Sequence, residues 1–196
     1  MNSKNLRFVK ITKDNIMLAT KFQMSIFPTE CGYEHFLYTI NSGKDYLGYY
    51  LVYNGETLIG ITGIYSFENI EDTNSLWLGW FGVSEKYRNK GFGTSILLKT
   101  MDMAKSFSLK YPAVKYFRLY TSTRENPLAI GLYRKYMDIE EKYLNEKDFT
   151  YDGTCVIFTK VLNSDSPLKK WNNEFLNLIQ IIEDEEKGNE IFNNLK

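Results

Sequence analysis

The sequence predicts an α+β (mixed α/β) fold in which hairpin-linked strands and crossover helices share one sheet. Three observations carry this. Residues 46–53 and 57–67 are rich in β-branched and aromatic side chains, and Asn54-Gly55 joins them. Asn-Gly is the strongest short hairpin signal, because both residues tolerate positive φ. Leu76–Val83 is nearly all apolar, as a central strand covered on both faces must be. Behind it, between Gly91 and Lys110, Phe92, Ile96, Leu97, Met101, Ala104 and Phe107 recur at helical spacing.

The remaining elements follow in order. Leu6 to Ile11 alternates and stops at Thr12, which reads as a first strand followed by a helix N-cap. Residues 13–42 read as helix in two pieces, broken near Pro28 and Gly32. Glu68 to Ser75 is a polar loop carrying Glu68, Glu71 and Asp72. Tyr116 to Thr121 is a short strand, and Asn126-Pro127 opens another helix, with Asn as N-cap and Pro at its first position. Residues 139–144 and 155–162 close the sheet. Residues 163–167 form a linker, and Leu168, Trp171, Phe175, Leu178 and Ile182 beyond it mark an amphipathic helix. The expected order is β-αα-βββ-α-β-α-ββ-α.

Composition bounds the function. The chain has 196 residues, 24 basic and 24 acidic side chains, one His and two Cys. That length suits one domain with its own core. Zero net charge argues against a general nucleic-acid or membrane-surface protein. One imidazole and two dispersed thiols, Cys31 and Cys155, cannot assemble a Cys/His zinc site, so no metal is expected. No apolar leader and no spanning run is visible, which suggests a soluble, cytoplasmic protein. Charge is uneven: residues 83–124 hold nine basic groups (Lys86, Arg88, Lys90, Lys99, Lys105, Lys110, Lys115, Arg118, Arg124) against Glu85 and Asp102, net +7. Such an island suits either a local anionic ligand or a solvated lysine-rich helix face.

The chemistry concentrates between Val83 and Thr94. An apolar strand enters a basic loop, and Gly91 and Gly93 open a long helix. A junction of this kind presents unpaired N–H groups at the positive end of the helix dipole, with Arg88 and Lys90 adding charge, which describes a phosphate or pyrophosphate cradle. The dinucleotide fingerprint G-x-G-x-x-G fails because Ile96 stands at the third glycine, and a Walker A loop fails for want of an earlier glycine and a following Lys.

Arg88-Asn89-Lys90-Gly91-Phe92-Gly93 is similar to the acyl-CoA-binding signature Arg/Gln-x-x-Gly-x-Gly/Ala. One helix and one strand later, Asn126-Pro127-Leu128-Ala129-Ile130-Gly131-Leu132-Tyr133 resembles the N-x-x-A-x-x-x-Y helix of the GNAT superfamily of acyl-CoA-dependent N-acetyltransferases. The resemblance covers about residues 6–162, with its specific part at 76–136. It implies a twisted, mostly antiparallel sheet with splayed central strands and flanking helices, to which the amphipathic stripe of this chain adds an extra C-terminal helix beyond the family core. It implies acetyl-CoA as cosubstrate, with its pantetheine amides on the backbones of Phe81 and Val83. The pyrophosphate would rest on Arg88, Asn89, Lys90, Gly91, Phe92, Gly93 and Thr94. Asn126 would touch the cofactor, and Tyr133 would stand near its sulfur as the acid.

Positions 126, 129, 130 and 133 share one helix face. A phenol of pKa about 10 can protonate a departing thiolate of about 8.5 at a cost of one to two pH units, although most of the 15 tyrosines must be packing residues. No carboxylate lies on Leu76–Val83, where many family members place a Glu. Glu68 and Glu71 (with Asp72) remain as base candidates or as solvated loop charges. His35 lies in the helical region that shapes the acceptor site in the family, or is structural; Cys31 and Cys155 read as packing residues. After Tyr133 the family's x-K-x-G-F gives way to Arg134-Lys135-Tyr136-Met137.

The expected organisation is an N-acetyltransferase domain over 1–162 and a segment, 163–196, whose helix packs on that domain or on a second subunit in a homodimer. The expected activity is acetyl transfer to a primary amine of a small molecule or peptide by direct attack in a ternary complex. The alternatives are a non-catalytic acyl-CoA-binding or sensor module, and a protein N-terminal or lysine acetyltransferase. No nucleic-acid or membrane partner is expected.

Overall fold

The structure is a computed structural model that describes residues 5–66, 74–124, 127–142 and 154–171, with 190, 193 and 194. Seven strands form one sheet in the order β1-β2-β3-β4-β5-β7-β6. They are β1 (Leu6–Lys10), β2 (Gly48–Asn54), β3 (Thr57–Tyr65), β4 (Ser75–Val83), β5 (Tyr116–Ser122), β6 (Ile139–Lys142) and β7 (Cys155–Val161). Among the described residues, α-helices run as α1 (Ile16–Ile26), α2 (Tyr33–Asn41), α3 (Phe92–Lys110) and α4 (Pro127–Tyr136). The pairs β1–β2, β2–β3, β5–β7 and β6–β7 are antiparallel, and β4–β5 is parallel. This is the mixed, mostly antiparallel class the sequence predicts.

Two compact units are distinguished. The first holds residues up to Tyr65 with Leu78–Asp102 and Gln180–Lys196, and the second holds Ser66–Trp77 with Met103–Ile179.

In the first unit, β2 is buried on both faces because its consecutive residues Leu51 and Val52 are both apolar. Leu51, Tyr49 and Ile61 pack with Ile11, Ile16, Ala19 and Phe36. Val52 and Ile59 pack with Val83, Phe92 and Ile96. Strand alternation thus sends one side toward α1 and α2 and the other toward α3.

In the second unit, the β4–β5 ladder is three pairs long, Ser75↔Tyr116 to Trp77↔Arg118. Its last rung carries Arg118, 1% exposed. The guanidinium donates to Ser75 Oγ at 2.9 Å, to Thr159 Oγ1 and to the Lys169 carbonyl at 3.2 Å. It also lies over the rings of Tyr116 and Trp171, 4.7 and 5.3 Å from their centres. The sequence counts Arg118 within the basic island, but the structure removes it from any ligand-facing patch.

Several boundaries differ from expectation, and three have a local cause. Helix α1 starts at Ile16 rather than beside Thr12, because the Thr12 N–H donates to Asn15 Oδ1 at 2.8 Å and closes a turn first. The β2–β3 turn is Gly55-Glu56, with Gly55 at φ +60°. Asn54 stays in the strand opposite Thr57. Residues 168–171, expected to begin a helix, are irregular. Their backbone groups are taken elsewhere: Lys169 O by Arg118, and the Trp171 N–H by Glu141 Oε1 at 2.7 Å. Residues 172–189 of that expected helix lie outside the described residues.

Candidate active site

The loop after β4 is organised by its own backbone. The Ser84 N–H donates to the Ile59 carbonyl at 2.9 Å, and the N–H groups of Tyr87 and Arg88 close one 3-10 turn over Glu85–Tyr87. The chain then turns sharply through two left-handed residues, Asn89 (φ +58°) and Gly91 (φ +76°). Asn is among the few residues other than Gly that tolerate this region. The first backbone bond of α3 runs from the Ser95 N–H to the Gly91 carbonyl at 3.2 Å. Helix geometry therefore leaves the preceding N–H groups without helical acceptors. Among the described residues, no backbone carbonyl takes those of Gly91, Gly93 or Thr94.

Charge is arranged around the same turn. Arg88, Asn89, Lys90 and Gly91 are exposed. Arg88 Nε donates to the Val83 carbonyl at 3.0 Å, and Lys90 Nζ to the Lys86 carbonyl at 2.8 Å. Lys86 and Lys90 lie 5.3 and 5.5 Å from the centre of the Tyr87 ring, which meets Phe92 edge-on at 6.0 Å. The long cationic side chains are thus pinned to the loop, so an anion would find them already positioned. N–H groups without helical acceptors, a helix of 19 residues behind them and fixed cations suit a diphosphate.

Phe81 and Val83 lie on β4 in the same unit, Phe81 half-buried and Val83 9% exposed. Sequence reasoning missed their neighbour Trp80, which has φ +44°. A bulky residue in that region costs on the order of 1–3 kcal/mol and persists only where its surroundings over-determine it. No glycine or asparagine signals it in the sequence. His35 meets Trp80 edge-on at 5.7 Å. Cys31 is buried in the core beside α1 and α2, and Cys155 is half-buried at the start of β7, consistent with packing roles.

Tyr133 lies on α4 in the second unit and is 5% exposed. Its ring sits 5.6 Å from that of Phe158, and burial pushes its pKa well above the ordinary phenol value. The next residue, Arg134, points away from this burial and holds Glu140 with two 2.8 Å hydrogen bonds. Asn126, Glu68, Glu71 and Asp72 lie outside the described residues. Among the described residues no cluster of His, Cys, Asp and Glu could hold a metal ion, and no helix is long and apolar enough to cross a membrane.

The fold is the one shared by GNAT acetyltransferases, and the sequence comparison places the chain in that class. It belongs to the acetyltransferase (GNAT) family, which it matches over residues 15–138. No curated protein matches the sequence significantly. Three solved structures share the fold at low identity. A GNAT-family acetyltransferase from Streptococcus pneumoniae is 15% identical with TM-score 0.59, covering 81% of this chain and 100% of that one. Spermidine N-acetyltransferase from Vibrio cholerae, in complex with CoA and spermine, is 18% identical with TM-score 0.59, covering 82% and 97%. The ribosomal-protein-S18-alanine N-acetyltransferase of Escherichia coli is 12% identical with TM-score 0.58, covering 84% and 99%. Members of the family are acyltransferases that use acetyl-CoA.

Proposed function

We propose that this chain transfers the acetyl group of acetyl-CoA to a primary amine of a small molecule or peptide, by direct attack in a ternary complex. The supporting observation is the Arg88–Thr94 turn, where the Gly91, Gly93 and Thr94 N–H groups meet no backbone carbonyl among the described residues and fixed cations head a long helix. In this reading that turn takes the pyrophosphate, the Phe81 and Val83 backbones take the pantetheine amides, and Asn126 adds a cofactor contact. The neutral amine forms a C–N bond to the thioester carbon while the C–S bond breaks. Its surplus proton passes to Glu68 or Glu71, directly or through water, and the departing thiolate takes a proton from Tyr133.

Burial refines the part assigned to Tyr133. A phenol held neutral by desolvation resists becoming phenolate, so it acts first as a hydrogen-bond donor to the developing thiolate and yields its proton late. The relatives named above act on spermidine and on a ribosomal protein, which spans both acceptor classes kept in this proposal. A cytoplasmic location and a domain over 1–162 with an appended 163–196 segment belong to the same reading.

The test is thermal denaturation with acetyl-CoA. At about a hundred times the dissociation constant, ligand linkage contributes roughly 2.7 kcal/mol. At about 2–4 °C per kcal/mol for a chain of this size, the melting temperature rises roughly 5–10 °C. No rise removes the cofactor site. Tyr133→Phe lowers kcat and leaves that rise intact; unchanged kcat removes the acid role. A second reading, a non-catalytic acyl-CoA sensor, is favoured by the absence of a carboxylate on Leu76–Val83. Stabilisation without CoA-thiol release across a broad amine panel selects it.

A further inference from the structure

Strand β4 breaks its alternation at Gly79 and Trp80. Trp80 packs with the core under α1 and α2, whereas Phe81 and Val83 pack with the core under α3, so the strand alternates from Trp80 onward. Gly79, one residue earlier, opens on the same side as Trp80. A Cβ there would overlap Tyr49 Oη and lie 2.9 Å from Tyr49 Cε1, and Tyr49 belongs to the core under α1 and α2. Two consecutive residues on one face mark a β-bulge. Trp80 carries the positive φ, +44°, that such bulges ordinarily give to glycine.

The phase of the strand also fixes where its main-chain groups point. The Ser84 N–H donates to the Ile59 carbonyl at 2.9 Å, and the Gly82 carbonyl lies 3.0 Å from where a Cβ at Gly60 would stand. Gly82 and Ser84 thus face β3. Phe81 and Val83 turn their amides to the other edge, and the Val83 carbonyl accepts from Arg88 Nε. The proposed function lays the thioester arm on these two amides. One residue fewer at the bulge would reverse their phase, so the bulge decides which edge they serve.

The bulge is held from β2. Tyr49 is 1% exposed and stands opposite Gly63 of β3. A Cβ at Gly63 would overlap the Tyr49 ring, so the ring lies flat over β3 and its far end reaches β4 at Gly79. Phe36, 0% exposed, meets the ring from α2 at 4.9 Å and 62°. A core that needed only volume would keep side chains at 63 and 79 under a shorter residue at 49. Giving up both side chains gains reach across β3 to the bulge. All of these residues lie in the first unit.

We propose that Tyr49 is a positioning residue for acetyl transfer: it clamps the Gly79–Trp80 bulge and thereby sets the Phe81 and Val83 amides for the thioester arm. The inference rests on the acyltransferase reading and adds to it a residue outside the cofactor contacts.

The experiment titrates the full-length protein with acetyl-CoA by calorimetry, which reads the dissociation constant separately from the fraction of chains that bind. Tyr49→Leu covers Gly63 but falls short of Gly79. It is expected to weaken binding about tenfold, the equivalent of one net hydrogen bond, with unchanged stoichiometry. Tyr49→Phe keeps the ring and should stay near wild type. Ile16→Val trims the same core from α1 and should leave the constant alone, as a merely structural Tyr49 would. Tyr49→Met is read in the same way if Tyr49→Leu does not fold. An unchanged constant in the position-49 variants, or an equal loss in Ile16→Val, overturns the inference while the cofactor reading stands. If the wild-type chain takes no acetyl-CoA, the cofactor reading falls and amide hydrogen exchange decides the clamp by itself. Faster exchange over residues 79–83 in Tyr49→Leu, with α3 unchanged, upholds it; equal exchange overturns it.

Discussion

Trp171→Ala tests whether the chain beyond the last strand belongs to the cooperative core. Trp171 is 5% exposed, and its ring stands against Trp77 at 4.9 Å and 88°, with the Arg118 guanidinium 5.3 Å away. Truncating a buried Phe or Trp costs about 3–5 kcal/mol, from lost transfer energy and the cavity left behind. The edge-to-face and cation–π contacts place this site in the upper part of that range, about 4–5 kcal/mol. For a chain of this size, the equivalent melting shift is a fall of roughly 8–20 °C. The assay is a calorimetric melt, checked for a single transition. Leu168→Ala is the control: Leu168 is 70% exposed, so its loss should fall within about 0.5 kcal/mol. A fall below about 2 °C for Trp171→Ala, under 1 kcal/mol on the same scale, refutes the reasoning. Equal effects of the two variants refute it as well.

Other outcomes follow from single groups. Burial holds the Arg118 pKa down to about 10 against an opposing pull from Glu141, so the cation itself costs stability. Arg118→Ala leaves Ser75, Thr159 and Lys169 without their donor and opens a cavity, costing about 3–5 kcal/mol in urea denaturation. Arg118→Met keeps the volume and removes the buried charge, so its loss should be no more than about half as large; equal losses would contradict this account. Gly91→Ala places a Cβ at φ +76° and should weaken acetyl-CoA binding about tenfold by calorimetry, whereas Asn89→Gly should leave it near wild type. Tyr133 has a raised pKa, so below pH 10 its phenol is neutral in both folded and unfolded chains. Above pH 10 only the unfolded chain ionises it readily, and stability falls by up to about 1.4 kcal/mol per pH unit. Urea midpoints from pH 9 to 11 should fall more steeply for wild type than for Tyr133→Phe; parallel lines would contradict the burial argument.

The sheet was legible in the sequence because its strands carry their own patterns. Asn54-Gly55 between two β-rich runs predicts the β2–β3 hairpin, and Leu76–Val83 predicts a buried β4. The sharp turn before α3 was legible because Gly91 is written where the backbone needs positive φ. What escaped was set by side chains acting on distant backbone. Helix α1 begins late because Asn15 captures the Thr12 N–H, a choice that helical periodicity does not encode. Residues 168–171 carry a helical apolar pattern, yet Arg118 and Glu141 claim their carbonyl and N–H groups first. The clamp on the β4 bulge combines Tyr49, Gly63 and Gly79 from β2, β3 and β4, and only the fold brings them into contact.

The left-handed tryptophan makes the sharpest case, because it reverses an ordinary expectation. In a regular strand, glycine is worse than alanine by about 0.5–1 kcal/mol. At φ +44° the order should invert. Alanine retains the Cβ clash, about 1–2 kcal/mol, while glycine relieves it. Both variants lose the same ring contacts to Phe27 and His35, so their difference isolates the backbone. Trp80→Gly is therefore expected to be the more stable of the two by about 0.5–1 kcal/mol in urea denaturation, the clash relief being partly offset by glycine's larger unfolded-state entropy. If Trp80→Ala proves the more stable, position 80 relaxes to an ordinary strand conformation once its ring is gone. The left-handed turn would then be imposed by the packing of the indole. If glycine wins, the backbone is held by the surrounding fold, and the indole is carried on a conformation that exists without it.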